Sequence, residues 1–165
     1  MPVKPNKLQN MDPRDFRILD LVQRDGKLAQ AEIAKRVGLS TAAVNERLKK
    51  LEKAGVIRRY AALVDPAAVG AAMTAFVEVF IEHPRHETAF IESMLGLDEV
   101  QECHYVTGEF TLLLKVRVRD VESLQELLLR RLNVLEGVRQ TRTLIVLSTL
   151  KEECLVPIEV KGDAP

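Results

Sequence analysis

Cysteine is scarce in this chain. Only Cys103 and Cys154 occur among 165 residues, neither in a C-x-x-C pair, so neither a disulfide framework nor a structural zinc site is expected and the thiols are read as reduced. Long apolar runs are also missing. The longest fall far short of the roughly 18 to 20 residues that a membrane span requires, and MPVKPNKLQN at the start has no signal-peptide core. A cytoplasmic protein with no membrane partner is the expectation. Net charge is absent too, with 24 Lys and Arg against 24 Asp and Glu. Histidine is limited to His83, His86 and His104, few candidates for acid–base chemistry.

The chain does have enough apolar material, 47% of residues, to build one ordinary domain or two small ones. It also has a hidden charge asymmetry. Residues 1–64 hold 14 Lys and Arg against 7 Asp and Glu, a net +7, and residues 65–165 hold 10 against 17, a net −7. A basic half suits a polyanion, which the acidic half would repel.

Within the basic half, Asp12-Pro13 marks a helix start, Asp as N-cap and Pro at N1. Phe16, Leu19, Leu21 and Val22 give this helix its apolar face, and Asp25-Gly26 predicts its exit, with Gly26 as a left-handed cap. Ile33, Ala34 and Val37 mark a second helix. Gly38-Leu39-Ser40 breaks it, and Ser40 caps a third helix over Thr41 to Ala54. Val44, Leu48 and Leu51 fall on one stripe of that helix at about 100° per residue. Its other side carries Ala42, Ala43, Asn45, Glu46, Lys49, Lys50 and Lys53, small residues first and basic ones after.

Any wet helix face carries lysines, so the face alone decides little. The Gly-containing turn, the charge split and the basic segment beyond agree on a helix-turn-helix that enters a major groove. The candidate contacts to double-stranded DNA are Thr41, Ala42, Asn45, Glu46, Arg47, Lys49, Lys50, Lys53, Arg58 and Arg59. Asn45 is assigned a base edge and the lysines phosphates. Glu46 is expected to pair with Lys50 at i+4. Val56 to Tyr60 and Ala61 to Val64 are expected to form a short two-stranded wing bearing Arg58 and Arg59.

Asp65-Pro66 and Gly70 mark a linker. Beyond it strands are expected over 73–83, 100–107, 111–119 and 138–150, and helices over 87–95 and 121–132. The order βαββαβ predicts a ferredoxin-like antiparallel sheet with two helices on one face. The chain therefore reads as α+β, with a flexible start (1–10), a winged helix-turn-helix (11–64), a linker (65–72), the βαββαβ domain (73–155) and a tail (156–165). Phe76 and Phe80 share a face with Glu78 and Glu82, whereas Ala75, Val77, Val79 and Ile81 fill the other. With helices for only one face, the second is a candidate dimer interface.

The segments AEIAKRVGLS (31–40), ERLKKLEKAGVIRRYAALVDP (46–66), VQECHYVTGEF (100–110), LLKVRV (113–118) and GVRQTRT (137–143) stand in the order and spacing of the Lrp/AsnC family, the feast/famine regulators, which the chain resembles from about Met11 to Leu155. The resemblance implies a transcriptional regulator built of dimers that assemble into tetramers or octamers. It also implies an amino acid or related small molecule as effector, bound between dimers near the VTGEFT turn. Tyr105, Thr107, Gly108, Glu109 and Thr111 are the effector residues carried over on this basis. Thr111 departs from the Asp that family members often have there. Thr cannot neutralise an ammonium group; Glu109 can if it points inward, and its neighbour Phe110 is the alternative residue to face the cavity.

No cofactor or metal is expected. Cys103 and His104 are neighbours on a strand and point to opposite faces, so they cannot share a metal. One alternative is an effector-independent architectural DNA-binding protein. The other is an enzyme, because some tetrapyrrole-processing decarboxylases resemble this family in both halves, although the basic helix would be superfluous there.

Overall fold

The computed structural model describes residues 11–159. The expected flexible start (1–10) and the end of the expected tail (160–165) lie outside them. The described chain forms two compact units, residues 11–62 together with 152–159, and residues 63–151.

The first unit has three helices, α1 (Pro13–Arg24), α2 (Gln30–Val37) and α3 (Thr41–Lys53). Asp12 and Asp15 form a reciprocal cap at the start of α1: the Asp15 N–H donates to Asp12 Oδ1 at 3.0 Å, and the Asp12 N–H donates to Asp15 Oδ2 at 3.1 Å. The exit of α1 differs from the expectation. Gly26 is not among the glycines with positive φ. The Asp25 carboxylate instead accepts from the Lys27 N–H at 2.9 Å, so a side chain closes the turn that a left-handed glycine would otherwise make. Gly38 does adopt the left-handed cap, at φ 67°, and Ser40 caps α3 by accepting from the Ala43 N–H. Ile18, Ile33, Val37, Val44, Leu48 and Leu51 are buried between the three helices.

The C-terminal segment returns to this unit. The Gln23 side-chain amide donates to the Val156 carbonyl and accepts the Val156 N–H, both at 3.0 Å. Residues 152–155, expected with the sheet, thus belong with α1.

The second unit is a four-stranded antiparallel sheet in the order β2-β3-β1-β4, from β1 (Met73–Ile81), β2 (Val100–Tyr105), β3 (Leu112–Val118) and β4 (Val138–Ile145). Helices α4 (Glu87–Leu95) and α5 (Val121–Glu126) connect the halves. Ala75, Val77 and Val79 of β1 and Leu112, Leu114 and Val116 of β3 are fully buried with Phe90 and Met94 of α4 and Leu124 of α5. Phe76, Glu78 and Phe80 alternate onto the opposite, half-covered face. Strand β4 stops at Ile145, opposite Ala75, rather than running to Leu150, and the Val146 N–H adds one further bond to the Thr74 carbonyl at 3.0 Å.

Beyond Glu126 the second helix continues as a π-helix over Leu127–Leu132. Leu127 and Leu132 are both buried. Residues five apart diverge by about 140° on an α-helix, whereas i to i+5 bonding stacks them on one side. The wider turn therefore lets both leucines enter one core.

Gly137, which opens β4, has φ 87°, and a Cβ there would meet His86 Cβ at 2.5 Å. Gly137→Ala is expected to destabilise the second unit by about 1–3 kcal/mol, from backbone strain plus overpacking. Urea denaturation compared with the unaltered chain checks this.

Candidate DNA interface and effector hairpin

The residues assigned to DNA divide into two groups in the structure. Thr41, Ala42, Glu46, Lys49, Lys50 and Lys53 are exposed on the outer side of α3, and Asn45 is half-exposed among them. Glu46, Lys49, Lys50, Lys53 and Ala54 line one open depression toward the C-terminal end of the helix. Glu46 meets Lys49 rather than the expected Lys50, with Oε1 and Nζ 3.5 Å apart. Both side chains are mostly exposed, so the pair is weak and a phosphate can displace it. Arg58 and Arg59 are exposed as well.

Arg47 behaves differently. Its guanidinium turns toward the start of α1, where Nη1 lies 2.7 Å from Asp15 Oδ1 and 2.8 Å from Asp12 Oδ2. Asp15 is 3% exposed. Hydrogen bonding to Asp15 is the largest influence on the Arg47 guanidinium and raises its pKa further. For Asp12, the upward push of desolvation is outweighed by hydrogen bonds from the Asp15 N–H and Arg47, and the carboxyl ends below its ordinary value. The Arg47 side chain, assigned to DNA from the sequence, thus forms an internal bridge in the single chain.

The expected two-stranded wing does not form within the described residues, since no strand is found over 56–64. A tight hairpin there would need positive φ at its centre. Residues 56–64 contain no Gly, Asn or Asp, and among the described residues only glycines have positive φ. Instead the Tyr60 hydroxyl donates to Glu52 Oε1 at 3.0 Å, and the Tyr60 ring packs by Gly26. Arg58 and Arg59 thus stand on an extended segment laid along the helices.

In the second unit the β2–β3 connection is a loop of residues 106–111, wider than the three residues left between the expected strands. Thr111, at the end of this loop, bonds to β1. Its N–H donates to the Val79 carbonyl at 2.9 Å and its hydroxyl accepts from the Ile81 N–H at 3.2 Å. Its N–H and its hydroxyl thereby serve β1. Val106 N–H closes the loop base on the Thr111 carbonyl at 3.2 Å. At the exposed tip are Thr107, Gly108 and Glu109, with Gly108 at φ 127°, a conformation that other residues rarely adopt.

Tyr105 leaves the sheet on the helix side, where its hydroxyl donates to Glu87 Oε2 at 2.9 Å. This bond is the main reason that its pKa rises. Phe110 is buried at 5% exposure, under the guanidinium of Arg142 at 4.8 Å from its ring centre. Arg142 is also ion-paired with Glu78 on the open face. Of the hairpin residues, Tyr105 thus meets Glu87, while Phe110 lies under Arg142, and Glu87, Phe110 and Arg142 are three residues that sequence reasoning did not assign.

Alternation holds for Cys103 and His104. Cys103 packs against the core, where burial raises its thiol pKa. His104 is exposed beside Glu102, with Nε2 and Oε2 3.1 Å apart. Among the described residues no group of three or more His, Cys, Asp or Glu is placed to hold a metal ion.

Comparison with known proteins agrees with both units. Residues 11–58 match a family model described as winged helix-turn-helix DNA-binding, and residues 74–156 match one described as the Lrp/AsnC ligand binding domain. The chain is 37% identical over 160 residues to the leucine-responsive regulatory protein of Klebsiella pneumoniae, with 96% of each chain covered. Among solved structures it resembles a transcriptional regulator of Neisseria meningitidis in complex with L-methionine, at TM-score 0.85 and 33% identity, covering 90% of this chain and 97% of that one. A feast or famine regulatory protein of M. tuberculosis complexed with L-methionine aligns at TM-score 0.82 and 33% identity, covering 90% and 99%.

Proposed function

The chain belongs to the Lrp/AsnC family of DNA-binding transcriptional regulators, and from that premise we propose that it works as a symmetric dimer, able to assemble further, whose grip on DNA responds to an amino acid or related small molecule. It is a regulator and not an enzyme. The observation that carries the DNA reading is the outer face of α3, where three exposed lysines follow a small-residue start beside Asn45. Such a face neutralises phosphates with its lysines and offers one side chain to base edges. Lys49, Lys50, Lys53, Arg58 and Arg59 are the phosphate contacts in this account, with Thr41 and Ala42 at the groove floor. Asn45→Ala is expected to relax preference at one base position at a cost of about 1–3 kcal/mol. Equal loss on selected and random duplexes would remove its base-reading role.

Support for the effector comes from the two solved relatives that hold L-methionine and from the hairpin tip. Gly108 leaves the loop backbone accessible, since no atom lies within 4 Å of where a Cβ would stand, and a ligand carboxylate could approach the N–H groups there. Tyr105, Thr107, Gly108, Glu109 and Thr111 are the residues proposed around it. Because the Thr111 hydroxyl already serves the Ile81 N–H, Glu109 is the group proposed to meet an ammonium. Isothermal calorimetry with the twenty amino acids, methionine first, tests this. Glu109→Gln is expected to abolish any measurable heat, and Gly108→Asp to remove the change in assembly on ligand addition. Binding that survives both substitutions would move the site elsewhere.

Among the described residues no helix is long and apolar enough to cross a membrane. The proposed location is the nucleoid within the cytoplasm, where its DNA partner is.

A further inference from the structure

A reading helix must be held in rotation as well as in place. The buried stripe Val44, Leu48 and Leu51 fixes α3 against its neighbours by apolar contact, which is non-directional. With a helix about 10–12 Å across, a roll of only about 10° moves an outward side chain by about 1 Å. That displacement is enough to spoil a hydrogen bond to a base edge, whose length tolerance is narrower. Something directional has to prevent it.

The bridge from Arg47 has the required geometry. The two carboxylates at the start of α1 divide their four oxygens completely. Asp12 Oδ1 and Asp15 Oδ2 close the reciprocal cap, and Asp12 Oδ2 and Asp15 Oδ1 face the Arg47 guanidinium. Without Arg47, two carboxylates would sit together, one of them almost fully buried, an arrangement that like charges resist. The cap of α1 and the orientation of α3 therefore depend on the same cation. Arg47 lies between Asn45 and Lys49 along the axis of α3, on the flank of the buried stripe, so a restraint on it acts at the level of the reading residues.

We infer that Arg47 is a positioning residue for DNA recognition: anchored on the Asp12–Asp15 cap, it sets the rotation of α3 and so controls base selectivity without touching DNA. This rests on α3 being the reading helix. The consequence is unusual for an arginine in such a helix, since its loss should cost specificity rather than general affinity.

The test uses the full chain, a duplex site enriched from a random library by the unaltered protein, and a random duplex, with binding measured across salt concentrations. Asp15→Asn is the decisive variant because Asp15 is buried in α1 and cannot reach DNA. Both Asp15→Asn and Arg47→Met are expected to reduce the ratio of selected-site to random-site affinity by about tenfold, the scale of one base contact, while the salt dependence on random DNA stays unchanged. A phosphate-bound Arg47 would instead show, in Arg47→Met, a salt slope shallower by about 0.9 with the ratio preserved, and Asp15→Asn would do nothing. That result overturns the inference.

Circular dichroism at the assay temperature controls for folding, and Asp12→Asn, which retains an N-cap, gives a milder variant expected to lose part of the ratio. An unchanged ratio in folded Asp12→Asn and Asp15→Asn also overturns it. If the unaltered chain enriches no site at all, the assignment of α3 as reading helix falls first, and the inference with it.

Discussion

Replacing Lys49, Lys50 and Lys53 together with alanine is expected to lower affinity for every duplex on the order of 10²–10³-fold at about 0.1 M salt, and to reduce the slope of log affinity against log salt by about 2.7. Each lysine that neutralises a phosphate releases counterion, and contributes about 0.9 to the slope and close to tenfold at that salt. Lys49 and Lys53 are exposed on the outer face with Lys50 between them, so their removal leaves Val44, Leu48 and Leu51 packed and the fold intact. One charge partly offsets another in the native chain, because Glu46 meets Lys49. Without that lysine the carboxylate faces the phosphates unpaired, which adds to the loss. Gel-shift titrations over a salt series measure both quantities. The contrast with Arg47, expected to change selectivity and leave the slope alone, separates two kinds of basic residue on one helix.

Leu144→Asp is expected to have an effect of similar size by a different route. Leu144 stands on the edge strand β4, paired with Phe76 of β1 on the face that carries no helix, and it is 49% exposed in the single chain. A charge there costs the isolated fold little. In a two-fold dimer closed through this face it would be buried twice, once for each subunit. Sedimentation should then report monomer where the unaltered chain is dimeric. Affinity for DNA with two half-sites should fall 10²–10⁴-fold, the gain that linkage of two binding modules supplies, while affinity for a single half-site stays constant. A dimer that persists through Leu144→Asp would place the interface on another surface.

How much of this was legible in the sequence depends on the range of the interaction. Val44, Leu48 and Leu51 could be assigned to the core because i, i+4 and i+7 share a helical face without reference to anything else. The alternation of Leu112, Leu114, Val116 and Val118 with polar neighbours set both faces of β3 in the same way, and the order of such segments gave the βαββαβ sheet. The bridge from Arg47 was not legible because this residue flanks the buried stripe, where a long cationic side chain can turn either outward or inward. The choice is made by Asp12 and Asp15, more than thirty residues earlier. One signal was present, the Asp-x-x-Asp at a helix start, which places two carboxylates together and calls for a cation.

Other differences have the same origin. Thr111 was read by its chemistry toward a ligand, and what the sequence did not show is that its hydroxyl also accepts from a backbone N–H of β1, a partner thirty residues away. Phe110 sits in a loop with no period to fix its side, and the Arg142 that lies over its ring is thirty-two residues away. The run LLLRRL gives no phase at all, so the π-helix over Leu127–Leu132 could not be told from an α-helix. The missing wing, in contrast, was foreseeable, because residues 56–64 contain none of the residues that tight hairpins use.

The central claim is that paired copies of α3 read spaced sites on DNA. DNase footprinting on a duplex enriched from a random library tests it most directly, with the unaltered chain and with Leu144→Asp. The account predicts two protected half-sites with centres about 10–10.5 base pairs apart, or a multiple of that spacing, and their loss together in the monomeric variant. Uniform coating of any sequence, or an unchanged footprint from Leu144→Asp, would contradict it.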